Sequence, residues 1–162
     1  MQIHLYQESP QDWEAFLHLC GLYYPEEAKF PLTQSGLLEL CQESVKEHRQ
    51  GSGRILLLFS SEKPIGFAFF QRPGNPIPLK KQWPEWGYVR DFYIHPKARK
   101  NGYGRALYAA LRKDLEESEA LGVLLIAEAK SSGLFWEKIG LKKTFQLHSF
   151  PLHWVYQESL KP

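Results

Sequence analysis

Apolar and polar residues recur with two periods along this chain, and the switches between them mark its elements. Ile3-His4-Leu5-Tyr6 alternates as a short strand. Ser9 then offers an N-cap and Pro10 a first helical position, opening a helix whose Trp13, Phe16, Leu17 and Cys20 share one face. A break is expected from Pro25 to Pro31. A second helix follows from Ser35 to Gln50, with Leu37, Leu38, Cys41 and Val45 as its apolar stripe. Gly51-Ser52-Gly53 marks a turn, and the apolar runs Arg54–Phe59 and Ile65–Phe70, joined through Ser60 to Pro64, read as a hairpin.

The middle of the chain changes character. From Arg72 to Trp86 it is irregular, and the prolines at 73, 76, 78 and 84 exclude a regular ladder. A structureless stretch this long inside a compact chain is commonly a binding loop or a surface loop. Tyr88-Val89-Arg90-Asp91-Phe92-Tyr93-Ile94 is a strand rich in β-branched and aromatic residues, and Ala106 to Leu121 a helix with Leu107, Leu111 and Leu115 on one face. Val123 to Ala127 is the next apolar strand. Ser131-Ser132-Gly133 leads a short helix through Lys138, and Leu141–Leu147 with Leu152–Gln157 predicts a closing hairpin, broken at Phe150-Pro151. No repeat, linker or low-complexity tract interrupts this order, so one domain spanning 1–162 is expected.

Chemistry concentrates between the central strand and the helix after it. There Arg99-Lys100-Asn101-Gly102-Tyr103-Gly104-Arg105 puts two glycines at a strand-to-helix junction, where the backbone can turn tightly. The first amides of the helix are left without partners, with the positive end of the helix dipole behind them. Such a junction suits a phosphate or pyrophosphate, and Arg99, Lys100 and Arg105 add charge at its rim. It is not a Walker loop, which needs a Gly-Lys-Ser/Thr ending. Nor is it the dinucleotide fingerprint, because Leu107 stands where the third glycine belongs.

The stretch Ile94-His95-Pro96 followed by Arg99-x-x-Gly102-x-Gly104 resembles the signature of the GNAT family of N-acetyltransferases. A second block, Phe135-Trp136-Glu137-Lys138-Ile139-Gly140-Leu141, is similar to that family's Phe/Leu-Tyr-Glu-Lys-Leu-Gly-Phe. The resemblance implies an α+β fold, a mixed, mostly antiparallel sheet flanked by helices, which the order β-α-α-β-β-β-α-β-α-β-β would give. It implies acetyl-CoA as cosubstrate. Phe92, Tyr93 and Ile94 would pair with the pantetheine arm, an amide near Ile94 would face the thioester oxygen, and the amides from Lys100 to Arg105, with Arg99 and Lys138, would hold the cosubstrate. It further implies transfer of an acetyl group directly to an amine.

The catalytic side chains depart from that pattern. Trp136 replaces the tyrosine held to protonate the departing thiolate, and an indole has no proton acidic enough for that role. Ala129 stands where members often carry an asparagine. Ser131, Ser132, Tyr93, Tyr103 or water could supply the proton instead. Asp91 is the candidate base, its other reading being a salt-bridged strand residue. Trp83, Trp86 and Tyr24, from the loops Pro73–Trp86 and Tyr23–Pro31, are candidate acceptor contacts, with Arg90 on the strand between them. Aromatic walls and a guanidinium favour a small amine carrying an apolar or anionic group over a polyamine, unless Asp91 or Glu85 engages Arg90. A non-catalytic CoA-binding sensor or partner-docking module is the alternative reading.

Composition narrows the remaining classes. A formal net charge of +2 is too small to argue for nucleic acid. No run of about 18 apolar residues suggests a membrane span, and Met1-Gln2-Ile3-His4-Leu5 lacks the basic and apolar segments of a signal peptide. Cys20 and Cys41 lack metal-ligand spacing and form no disulfide framework, so no metal is expected and free thiols in a reducing cytoplasm are. A homodimer is compatible with the sequence.

Overall fold

The computed structural model describes residues 1–27, 31–75, 83–148 and 150–161. Its elements run β1 (Gln2–Leu5), α1 (Pro10–Glu26), α2 (Gln34–Arg49), β2 (Gly53–Ser60), β3 (Lys63–Gln71), β4 (Gly87–Ile94), a 3-10 turn (Pro96–Ala98), α3 (Tyr103–Glu117), β5 (Gly122–Glu128), α4 (Ser132–Lys138), β6 (Lys142–Leu147) and β7 (Phe150–Ser159). The strands form one seven-stranded sheet in the order β1-β2-β3-β4-β5-β7-β6. β4 and β5 run parallel, while the β1–β2, β5–β7 and β6–β7 ladders are antiparallel. The β-α-β unit read around the glycines is therefore present, as is the mostly antiparallel sheet.

Two compact units divide the chain: residues 1–70 with 91–111, and residues 71–90 with 112–162. In the first, α1 and α2 cover a sheet face built by alternation. Ile55, Leu57 and Phe59 of β2, Phe67 and Phe69 of β3 and Tyr93 of β4 all join one buried cluster with Phe16, Leu19, Cys20, Cys41 and Val45. The α1 stripe is shifted from the predicted one: Leu19 is fully buried, while Trp13 and Leu17 are only partly so. Ser9 caps α1 as expected, its hydroxyl accepting the Asp12 amide at 3.0 Å. His48 ties the end of α2 to the strands, its Nε2 donating to the Tyr6 carbonyl (3.0 Å) and its Nδ1 accepting the Ile55 amide (3.1 Å).

In the second unit, Gly87 of β4 lies against Leu115 of α3 and Gly133 of α4 against the Tyr156 hydroxyl of β7, both too close for a Cβ. Arg72 anchors the start of the irregular loop through Asp114 at 2.9 Å, and the Gly74 amide donates to the Pro84 carbonyl across its neck.

Four boundaries differ from the sequence reading, each for a local reason. Pro25 sits inside the last turn of α1, where it forfeits a single hydrogen bond and the Glu27 amide still closes onto the Tyr23 carbonyl. α3 starts at Tyr103, since the Gly102 carbonyl already accepts the Ala106 amide. It stops at Glu117 because Glu119 adopts φ +61° and the Ala120 amide folds back onto the Leu115 carbonyl, a helix stop made without glycine. Pro151 lies within β7, near its start, where a missing amide is tolerated.

Candidate functional site

β4 opens the site by losing a neighbour. Its ladder with β5 pairs Gly87 with Val123, Tyr88 with Leu124 and Val89 with Leu125, and among the described residues goes no further. On its other side β4 stays attached to β3, where the His95 amide donates to the Ile65 carbonyl at 2.8 Å. Backbone groups alternate in direction along a strand, so the amide of Ile94 points to the edge away from β3. That edge can accept an extended chain as an added strand.

The turn after β4 is built to present backbone donors. Pro96–Ala98 makes one 3-10 turn, with His95 Nδ1 accepting the Lys97 amide at 3.3 Å. Lys100 (φ +67°) and Gly102 (φ +81°) then take left-handed conformations that reverse the chain into α3. Lys100 holds that conformation without being glycine, while Asn101 braces the turn through the carbonyls of Ala98 and Arg99 (3.3 and 3.2 Å). None of the described hydrogen bonds takes the amides from Lys100 to Arg105, and a Cβ on Gly102 would meet nothing within 4 Å. Unpartnered amides at a helix start, open to solvent and flanked by exposed Lys100 and Arg105, suit an anion. At the first turn of α3 the Tyr103 hydroxyl shares a hydrogen bond with Ser60 at 3.2 Å.

Arg99 faces both ways. Its Nε donates to the Ile94 carbonyl at 2.8 Å, and its terminal nitrogen pairs with Glu27 just past the end of α1. The guanidinium lies 5.9 Å from the Tyr93 ring centre. Tyr93 is itself 2% exposed, with its hydroxyl 3.5 Å from Glu26. Burial, then the Glu26 carboxylate, push the Tyr93 phenol up to about 12, which makes it a poor proton source at neutral pH. Asp91, one alternation earlier on β4, is 6% exposed, and the Tyr24 hydroxyl donates to its Oδ2 at 3.1 Å.

The first unit therefore brings together Asp91, Phe92, Tyr93, Ile94, the turn from Arg99 to Arg105, and Tyr24. Glu26 and Glu27 join them without having been singled out by sequence, since the predicted break at Pro25 put them in a loop. The remaining predicted residues belong to the second unit. Arg90 is half-buried on β4. Trp83 stacks on Phe145 at 5.8 Å, and the Trp86 ring fills the space beside Gly122. Trp136 is 4% exposed and edge-on to Phe135, and Lys138 is exposed at the end of α4. Residues 28–30 and 76–82 of the two predicted acceptor loops lie outside the described residues. Among the described residues no three His, Cys, Asp or Glu side chains converge as a metal site, and no helix is long and apolar enough to cross a membrane.

Comparison with known proteins bears on the family and the fold. A model of the acetyltransferase (GNAT) family matches residues 13–140. No curated protein matches the chain. Solved structures do: ribosomal-protein-alanine N-acetyltransferase from Brucella melitensis is similar at a TM-score of 0.76 and 19% identity, covering 99% of this chain and 100% of that one. Aminoglycoside 6'-N-acetyltransferase complexed with coenzyme A is similar at 0.74 and 14%, covering 100% and 98%. PaiA N-acetyltransferase from Thermoplasma acidophilum, also in complex with coenzyme A, is similar at 0.70 and 15%, covering 98% and 99%. At these identities the likeness is one of fold.

Proposed function

We propose a direct acetyl transfer to a small-molecule amine, from a plain premise: the chain belongs to the GNAT family of acetyltransferases, whose cosubstrate is acetyl-CoA. The observation that carries the reading is the strand-turn-helix at Phe92–Arg105, with its unclaimed amides and the strand edge leading into it. The amides from Lys100 to Arg105 would hold the pyrophosphate, and Phe92 to Ile94 the pantetheine arm. Bound there, acetyl-CoA supplies an activated acyl carbon and a thiolate leaving group. The Ile94 amide, on the same edge, would face the oxygen on which negative charge develops.

Asp91 takes the proton that the acceptor nitrogen loses as its bond to the acyl carbon forms and the carbon–sulfur bond breaks. The thiolate takes its proton from solvent, since the Trp136 indole proton is not acidic enough to be given up and the Tyr93 phenol is pushed up to about 12. No covalent enzyme intermediate is needed. The whole span 1–162 serves this one reaction.

Calorimetry on Gly104→Asp tests the cosubstrate site, because a carboxylate and a Cβ would stand where phosphate approaches. Binding of acetyl-CoA should weaken by about tenfold or more, comparable to losing one charge-assisted contact. Undiminished affinity would show the site to be misplaced. Thiol release with a panel comprising an aminoglycoside, a peptide with N-terminal alanine, spermidine, and aromatic and acidic amines tests the acceptor. Aromatic or acidic amines should turn over best. Acetylation confined to the peptide would refute a small-molecule acceptor.

A further inference from the structure

We propose that Tyr24 is a positioning residue for catalysis: its hydroxyl fixes the Asp91 carboxylate and keeps it ionised in the pH range of turnover. The inference rests on Asp91 being the base, and it moves Tyr24 from contacting the acceptor to supporting the residue that deprotonates it. Three observations carry it. Tyr24 is 7% exposed and Asp91 6%, so the bond between them is largely shielded from competing water. Their hydrogen bond, 3.1 Å long, links the last turn of α1 to the middle of β4 across 67 residues of sequence. The Tyr24 ring is held by its neighbours, with Tyr23 edge-on at 4.9 Å and Tyr23 in turn packed on Phe67 (5.6 Å) and Tyr93 (5.8 Å).

Burial favours a neutral carboxyl group, and a protonated Asp91 could not accept a proton. A hydroxyl donating to the carboxylate opposes that effect, because it bonds more strongly to the charged form. The other ionisable groups at this end of α1 have partners of their own. Glu26 faces the Tyr93 hydroxyl and Glu27 pairs with Arg99, and both glutamates are exposed to solvent. On β4 itself, Tyr93 is the next residue on the same face, and burial with the Glu26 carboxylate pushes its phenol up to about 12. The Tyr24 hydroxyl is thus a neutral donor that offsets burial of the base.

The test exploits the chain's three aspartates, Asp12, Asp91 and Asp114. Carbon-13 labelling of the aspartate carboxyls gives three signals, and Asp91→Asn identifies one by its loss. In Tyr24→Phe the Asp91 titration midpoint should rise by about one pH unit, the size of one hydrogen bond to a charged group. The acidic limb of thiol release, measured with acetyl-CoA and the best amine of the panel above, should rise with it. The plateau at higher pH should stay. An unchanged midpoint, or a loss equal at every pH, would overturn the proposal. Should Tyr24→Phe fail to fold, carbon-13 at the tyrosine Cζ reads the same bond in the parent. The Tyr24 signal should then follow the Asp91 titration and become flat in Asp91→Asn, and indifference to that titration would again overturn it. Failure of the base reading looks different: Asp91→Asn, expected to lose at least about a hundredfold in turnover, would retain it.

Discussion

Arg99 illustrates how far a motif residue can be read by itself. Its spacing from Gly102 and Gly104 places it at the rim of the proposed pyrophosphate site, and only the folded chain reveals the carboxylate that competes for it. Glu27 holds the guanidinium while the Ile94 carbonyl holds its Nε, so an incoming phosphate must share or displace the glutamate. Both partners are about two-fifths exposed, which makes the pair a small contributor to stability. The carboxylate would nonetheless repel the pyrophosphate at short range. Glu27→Gln should therefore leave the unfolding temperature nearly unchanged and tighten acetyl-CoA by up to about fivefold, the equivalent of the ~1 kcal/mol an exposed ion pair can contribute. Calorimetry at low and moderate salt would read it, the gain shrinking as salt rises. Weaker binding would mean that Glu27 orients Arg99 for the phosphate instead of withholding it. No local pattern could have announced this pair, since its members lie 72 residues apart.

At the scale of elements, α4 packs closely against β7 at Gly133. A Cβ on Gly133 would stand 2.1 Å from the Tyr156 hydroxyl oxygen, which is buried and has no hydrogen-bond partner among the described residues. Gly133→Ala should destabilise by about 1–3 kcal/mol through overpacking. Tyr156→Phe removes an unsatisfied hydroxyl and should be close to neutral or stabilising. Since the clash is with that oxygen, the double variant should cost clearly less than the sum of the two. Urea unfolding of all four proteins decides it, and strict additivity would place the strain elsewhere. The same elements show what was legible beforehand. Strands, helices and the glycine turn carry local signals of alternation, 3.6-residue period and missing side chains, and each appears at its expected place. The ends were harder to read. Glu119 stops α3 in a conformation normally marked by glycine, and Pro25 is absorbed because so little helix remains beyond it. The pairing of Tyr24 with Asp91 depends on how α1 lies over β4, a consequence of packing that no window of sequence contains.

For the molecule as a whole, two compact units raise the question of how many transitions its unfolding has. β4 contributes Gly87–Arg90 to one unit and Asp91–Ile94 to the other, and α3 is divided between Leu111 and Arg112. A strand and a helix that each run through both units cannot melt halfway without exposing backbone groups and apolar side chains in the remainder. Neither unit is a continuous stretch of chain, so neither can separate at a linker. One cooperative transition over residues 1–162 is the expected outcome. The aromatic residues supply separate reporters. Four of the five tryptophans (83, 86, 136 and 154) lie in the second unit, and Trp13→Phe leaves fluorescence to that unit alone. Six of the eight tyrosines (6, 23, 24, 93, 103 and 108) lie in the first and dominate its near-ultraviolet dichroism in the tyrosine band. In urea, Trp13→Phe should give coincident curves by fluorescence, tyrosine dichroism and far-ultraviolet dichroism, with one midpoint and one slope. The residues proposed to hold the pyrophosphate and the pantetheine arm lie in the first unit, which sharpens the test. If unfolding is one transition, saturating cosubstrate must raise the tryptophan midpoint of the second unit as much as the tyrosine midpoint of the first. A tyrosine midpoint that rises alone would establish two independently unfolding bodies.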